Sequence, residues 1–127
     1  MKRKKHERKL SPANLEIMKI VWDKGEVTIN DVVDAINTKR KNQVRRTTIQ
    51  VQMNRLEDYG WLKHTEKGRT YIYTAVIEKQ KTRREILEDI KNRVFEGSRA
   101  ELVKCLIENA NITPEEIKEL RALLKDK

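Results

Sequence analysis

Hydrophobic residues recur at spacings of three and four in the first part of the chain, which predicts two short amphipathic helices. The first covers residues 12–23, between the start signal Ser11-Pro12 and Gly25. Its apolar positions are Leu15, Ile17, Met18, Val21 and Trp22. The second follows Thr28, whose spacing to Asp31 is that of a capping box, and extends to about residue 37. Its apolar positions are Ile29, Val32, Val33 and Ile36.

A third predicted helix combines a core face with an unusual polar face. Either Thr47 or Thr48 is placed to cap it, and Gly60 to end it. Its core face is Ile49, Met53 and Leu56. The opposite face has small or short polar side chains bordered by arginines, namely Arg45, Arg46, Thr47, Gln50, Val51, Asn54 and Arg55. Gln and Asn match an adenine edge, Val a thymine methyl and Arg a phosphate, so this face predicts entry into the major groove of DNA.

A strand-like pattern follows the third helix. Residues 61–65 and 70–75 are rich in β-branched and aromatic side chains and enclose a turn predicted at Lys67-Gly68. Lys63, Lys67 and Arg69 make this hairpin basic, and the connection at residues 38–46 adds five Lys/Arg. Three helices and a basic hairpin are typical of a winged helix-turn-helix, in which one helix contacts bases and the wing contacts backbone.

The last part of the chain predicts three further short helices, two of them started by Ser98 and Thr113 with Glu three residues later. Their apolar positions are Ile86, Leu87, Ile90, Val94, Leu102, Val103, Leu106, Ile107, Ile117, Leu120, Leu123 and Leu124. No second layer covers these faces, so they either fold back on the first module or meet a second copy. We favour a homodimer, because small DNA-binding proteins commonly bind palindromes as dimers.

The expected organisation is therefore mainly α with a small β wing. It consists of a basic arm (1–10), a winged helix-turn-helix domain (11–77) and a three-helix dimerisation module (78–127). Charge follows this division: residues 1–77 contain 17 Lys/Arg against nine Asp/Glu, and residues 78–127 contain 12 against 11. Most of the net charge of +9 thus lies in residues 1–77, the arm and the winged helix-turn-helix domain together, as expected for a polyanion-binding protein.

Compartment and chemistry are constrained by what the sequence lacks. A single cysteine, Cys105, cannot form an internal disulfide, and no apolar run approaches the ~18 residues of a membrane span. The basic start has no apolar segment after it, which makes a cytoplasmic protein the expectation. No nucleophile–base pair, phosphate-binding glycine loop or ligand cluster around His64 supports an enzyme, a metal site or a cofactor.

Two other classes of function compete with sequence-specific DNA binding. A winged-helix adaptor for protein interaction predicts no steep salt dependence and no selectivity for a palindrome. An architectural or RNA-binding protein predicts affinity with little sequence preference, and the shortage of aromatic residues for base stacking disfavours single-stranded RNA.

Four segments resemble the penicillinase, methicillin-resistance and copper-responsive repressors of bacteria: LSPANLEIMKIVW (10–22), TTIQVQMNRLEDYGWL (47–62), KGRTYIYT (67–74) and TPEEIKEL (113–120). The resemblance covers residues 10–127. It implies a dimeric winged-helix repressor whose C-terminal helices interlock and whose operator is a palindrome with TACA/TGTA-type cores. By position it also implies base contacts from Thr47, Thr48, Gln50 and Val51, with Arg46 beside them and Lys67 and Arg69 on the wing.

The chain departs from this family at the features that relieve repression. In β-lactam-responsive members a sensor protease cleaves an Asn-Phe bond, and the matching position here is Cys105-Leu106. Copper-responsive members carry a cysteine-rich C-terminal hook, whereas this sequence closes with ALLKDK. Neither inducing route is therefore expected, and the protease partner that the resemblance implies stays unidentified.

Overall fold

The computed structural model describes residues 10–109 and 111–125, so the basic arm predicted over residues 1–10 lies, apart from Leu10, outside the described residues. Within those ranges the chain forms six helices and three strands. They are α1 (Pro12–Lys24), β1 (Glu26–Val27), α2 (Ile29–Thr38), α3 (Arg46–Asp58), β2 (Leu62–Lys67), β3 (Thr70–Ala75), α4 (Lys79–Val94), α5 (Arg99–Asn109) and α6 (Pro114–Lys125). The predicted mainly α fold with a small β wing is confirmed.

Local capping signals start the first two helices as predicted. The Ser11 hydroxyl accepts the backbone N–H of Asn14, and Pro12 occupies the first helical position. At α2 the Thr28 hydroxyl accepts the Asp31 N–H while the Asp31 carboxylate accepts the Thr28 N–H, both at 3.0 Å. These bonds satisfy backbone donors that the helix itself leaves unpaired, so the sequence alone sets where α1 and α2 begin.

The three strands form an antiparallel sheet in the order β1-β3-β2. In the hairpin Lys67 pairs with Thr70, so the loop is Gly68-Arg69 and not the predicted Lys67-Gly68. Gly68 has a φ of +62°, which suits the first position of a type II′ turn. The prediction was one residue early because cross-strand pairing carries β2 through Lys67.

One hydrophobic core lies between α1, α2, α3 and the sheet. Its buried members are Ile17, Met18, Val21, Val27, Ile29, Val32, Ile36, Ile49, Met53, Leu56, Trp61, Leu62, Tyr73 and Ile77. Trp22 packs against this core, and its indole N–H donates to the Ile77 carbonyl at 2.9 Å. The core faces predicted for the first three helices are thereby confirmed except at Leu15, which is only half-buried.

Helix α3 joins the wing through a tight helix-ending turn. Gly60, with a φ of +90°, donates its N–H to the Glu57 carbonyl, and Trp61 donates to Leu56 at 2.8 Å. This pair of bonds is a Schellman motif, and glycine supplies the positive φ that it needs. The buried Trp61 then leads directly into β2.

The chain divides into two units between Arg83 and Arg84, within α4, whereas the sequence predicted a boundary after residue 77. In the second unit no described residue of α5 or α6 is buried. Eleven large apolar side chains of α4–α6 are 40–74% exposed: Ile86, Leu87, Ile90, Val94, Val103, Leu106, Ile107, Ile117, Leu120, Leu123 and Leu124. Among the described residues, no helix is long and apolar enough to cross a bilayer.

Candidate nucleic-acid interface

Helix α3 begins earlier than predicted. The N-cap is Arg45, without a side-chain capping bond, and the Arg45 carbonyl accepts the N–H groups of Thr48 and Ile49. The prediction that Thr47 or Thr48 caps the helix was therefore wrong. Both threonines lie in the first turn, where their exposed hydroxyls are not engaged in capping.

Each residue predicted to face DNA is exposed: Arg45, Arg46, Thr47, Thr48, Gln50, Val51, Asn54, Arg55, Lys67 and Arg69. Val51, the apolar residue of this set, is 49% exposed in the middle of the helix. We call the N-cap residue and the α3 residues of this set the α3 face: Arg45, Arg46, Thr47, Thr48, Gln50, Val51, Asn54 and Arg55. Its composition leaves hydrogen-bonding and small apolar groups uncovered, which are the groups that contact base edges.

A cleft of about 370 Å³ separates the start of α2 from α3 and the wing. It brings together Arg46, Gln50 and Arg69 of the predicted site. Val51, Asn54, Arg55 and Lys67 do not line it. The remaining lining residues are Thr28, Ile29, Asn30, Thr70 and Tyr71. Two guanidinium groups and several uncharged donors thus line one polar recess beside the α3 face.

Arg46 orients the side chain of Gln50, which lines the same cleft. Its Nε donates to the Asn30 amide oxygen at 2.9 Å, and a terminal nitrogen donates to the Gln50 amide oxygen at 3.2 Å. The Gln50 amide is therefore oriented, with its nitrogen left to donate elsewhere. Sequence reasoning missed Asn30, since its partner lies 16 positions away on another helix.

The wing is tied to α3 by a second polar contact. His64 on β2 places Nδ1 2.7 and 2.8 Å from the carboxylate oxygens of Glu57 on α3. The His64 ring stacks on Tyr71 at a centroid distance of 4.4 Å and lies tilted against Tyr73 at 5.3 Å. The imidazole is thus engaged in joining wing to helix.

Tyr73 lies beneath this contact and is buried. Burial raises the pKa of its hydroxyl above the ordinary 10.0, and the negative charge of Glu57 raises it further. The protonated hydroxyl points toward the Asn54 amide oxygen at the long distance of 3.5 Å. Tyr73 therefore supports the α3 face from the core side.

Comparison with known proteins identifies the relatives of this arrangement. The family model for the penicillinase repressor matches residues 10–126. The chain belongs to the penicillinase repressor family. The penicillinase repressor of Bacillus licheniformis is 29% identical over 117 residues, which is 92% of this chain and 90% of that protein.

Two solved structures extend the comparison. The DNA-binding domain of the repressor BlaI shares 31% identity at a TM-score of 0.52, covering 59% of this chain and 89% of that one. The monomeric form of Bacillus licheniformis BlaI, in complex with the blaP half-operator, shares 31% identity at a TM-score of 0.50 and covers 61% and 90%. This penicillinase repressor family member is therefore a winged-helix DNA-binding transcriptional repressor and not an enzyme.

Proposed function

We propose that this repressor binds a palindromic operator in double-stranded DNA as a homodimer. Residues 11–77 form the DNA-binding domain, with the α3 face in the major groove and the wing on the adjacent backbone. Thr47, Thr48, Gln50 and Val51 contact bases, while the arginines of α3, with Lys67 and Arg69, contact phosphates. The observation that carries this proposal is the exposed α3 face beside a cleft lined by Arg46 and Arg69.

Residues 78–127 supply the dimer contacts in this proposal. The proposed contact residues are Ile86, Ile90, Val94, Leu102, Leu106, Ile117, Leu120 and Leu124. All of them except the half-buried Leu102 are at least 40% exposed. Exposed apolar side chains are costly in water, and burial against a second copy removes that cost.

Two binding experiments test the proposal. The first selects bound duplexes from a randomised library, which presupposes no operator, and should enrich an inverted repeat. The second titrates a palindromic TACA/TGTA duplex and a scrambled duplex by fluorescence anisotropy at two salt concentrations. We expect selective binding that weakens with salt and saturates at two chains per duplex.

The possible failures point to different parts of the proposal. Enrichment of a single unrepeated site, with one chain per duplex, would remove the homodimer. No enrichment, together with weak and equal binding to both duplexes, would remove sequence recognition. The winged-helix adaptor would then account better for the chain.

A further inference from the structure

The connection between α2 and α3 is a folded, basic loop. We call residues 39–45 the α2–α3 loop; it carries Lys39, Arg40, Lys41 and Arg45. The Asn37 side chain closes it by accepting the Val44 N–H at 2.8 Å and donating to the Val44 carbonyl at 3.2 Å. Because one side chain bonds both backbone groups of Val44, the two ends of the loop are held together.

Two further contacts fix the body of the loop. The Gln43 amide nitrogen donates to the carbonyls of Asn37 and Arg40, both at 3.2 Å. The Arg40 guanidinium forms an ion pair with Glu16 of α1 at 2.8 Å. These bonds hold the loop to its own base and to α1, so its conformation is set before any partner arrives.

The bonds leave three cations without a partner among the described residues. Lys39, Lys41 and Arg45 are exposed and make no side-chain hydrogen bond or ion pair there. They lie on a single preorganised loop that leads directly into the first turn of α3. A cluster of like charges without counter-charges favours an anionic partner.

The position of the loop indicates which anionic partner it would meet. Recognition helices contact base edges with their N-terminal residues, and the major groove is about 12 Å wide. Lys41 and Lys39 precede Arg45 by four and six residues, which span at most about 14 Å and about 22 Å even when extended, and the Asn37–Val44 bonds of the folded loop bring its two ends closer than that. The loop therefore lies within reach of the phosphates that border the groove when the first turn of α3 enters it.

We propose that the α2–α3 loop binds the phosphodiester backbone at the edge of the operator through Lys39 and Lys41. This inference rests on the proposed function, because it requires α3 to enter the groove. The contact adds affinity and fixes the depth of α3, and it carries no base information of its own.

The test compares Lys39→Ala/Lys41→Ala with a charge-matched control, Lys19→Ala/Lys118→Ala, in the full chain. Lys19 and Lys118 are exposed on α1 and α6. Each lost phosphate contact reduces the slope of log affinity against log salt by about 0.9. The loop variant loses two such contacts per chain, so its salt slope should be smaller by about 1.8 per chain. Between 50 and 200 mM salt that difference amounts to a roughly 12-fold smaller drop in affinity per chain. Selectivity for palindrome over scrambled duplex should persist.

A scan with single neutral methylphosphonates locates the contact. At one or two groove-edge phosphates, neutralisation should weaken the wild type and the control but leave the loop variant unchanged. An unaltered salt slope in the loop variant, or equal sensitivity of all proteins to every methylphosphonate, would overturn the loop contact while operator selectivity stands. Loss of selectivity in the wild type itself would instead overturn the proposed function.

Discussion

Replacing Gln50 with alanine tests whether the α3 face contacts bases. The Gln50 side chain is exposed, and its amide oxygen accepts one bond from Arg46 at 3.2 Å. A carbonyl oxygen accepts two bonds, so one acceptor position and both N–H donors remain for an adenine edge. A bidentate pair of this kind contributes roughly 1–3 kcal/mol of discrimination.

The expected loss follows from that contact. On a duplex with one half-site, Gln50→Ala should weaken binding about 5- to 150-fold. On a palindrome bound by two chains the free-energy losses add to roughly 2–6 kcal/mol. Gln50 is uncharged, so binding to a scrambled duplex and the salt slope should stay near the wild-type values.

Anisotropy titrations on the half-site, palindromic and scrambled duplexes measure these losses. Gln52→Ala is a matched control, because it removes the same side chain from the same helix at a half-buried position outside the α3 face. An equal loss on all three duplexes, or the same loss for the control, would refute base contact by Gln50.

Three other substitutions probe dimerisation, capping and the wing. Leu106→Asp places a charge on an apolar surface that is open in one chain, so sedimentation should give a monomer with weak palindrome binding; a tight dimer would exclude this helix from the interface. Thr28→Ala removes the capping box of α2 and should lower the free energy of unfolding by about 1 kcal/mol in denaturant titrations, whereas Thr28→Ser should not. Burial raises the pKa of Tyr73 in the folded state, so the native protein keeps this proton where the unfolded chain loses it, and stability should fall as the pH rises above 10.0. Tyr73→Phe should flatten that decline above pH 10, and a slope unchanged from that of the wild type would contradict the assignment.

Local signals account for what the sequence predicted well. Ser11, Thr28 and Thr113 each bond a backbone N–H three residues ahead, so their helix starts need no tertiary information. The periodicity of α3 likewise separates the buried Ile49 and Met53 from the exposed side, because burial follows the helical repeat.

Contacts between elements account for the features that the sequence did not predict. Helix α3 begins after Arg45 without a side-chain capping bond, so threonine capping preferences at residues 47 and 48 did not decide the boundary. Arg46 bonds Asn30 of α2, and His64 contacts Glu57 of α3, and no spacing rule links either pair. The faces could be predicted from the sequence, while the bonds that orient their side chains required the fold.

The junction at Gly60 holds α3 and the wing in a fixed relative orientation. The turn bonds of Gly60 and Trp61 fix the angle at which β2 leaves the helix, and the His64–Glu57 contact ties the two again. In the proposed complex, where α3 and the wing both contact DNA, this rigid pair cannot adjust its own spacing, and we expect the duplex to bend or change groove width to meet both. Base pairs that the protein never touches then influence affinity through their stiffness. We therefore expect an operator for this chain to depend on flexibility between its contacted positions as well as on the bases at those positions.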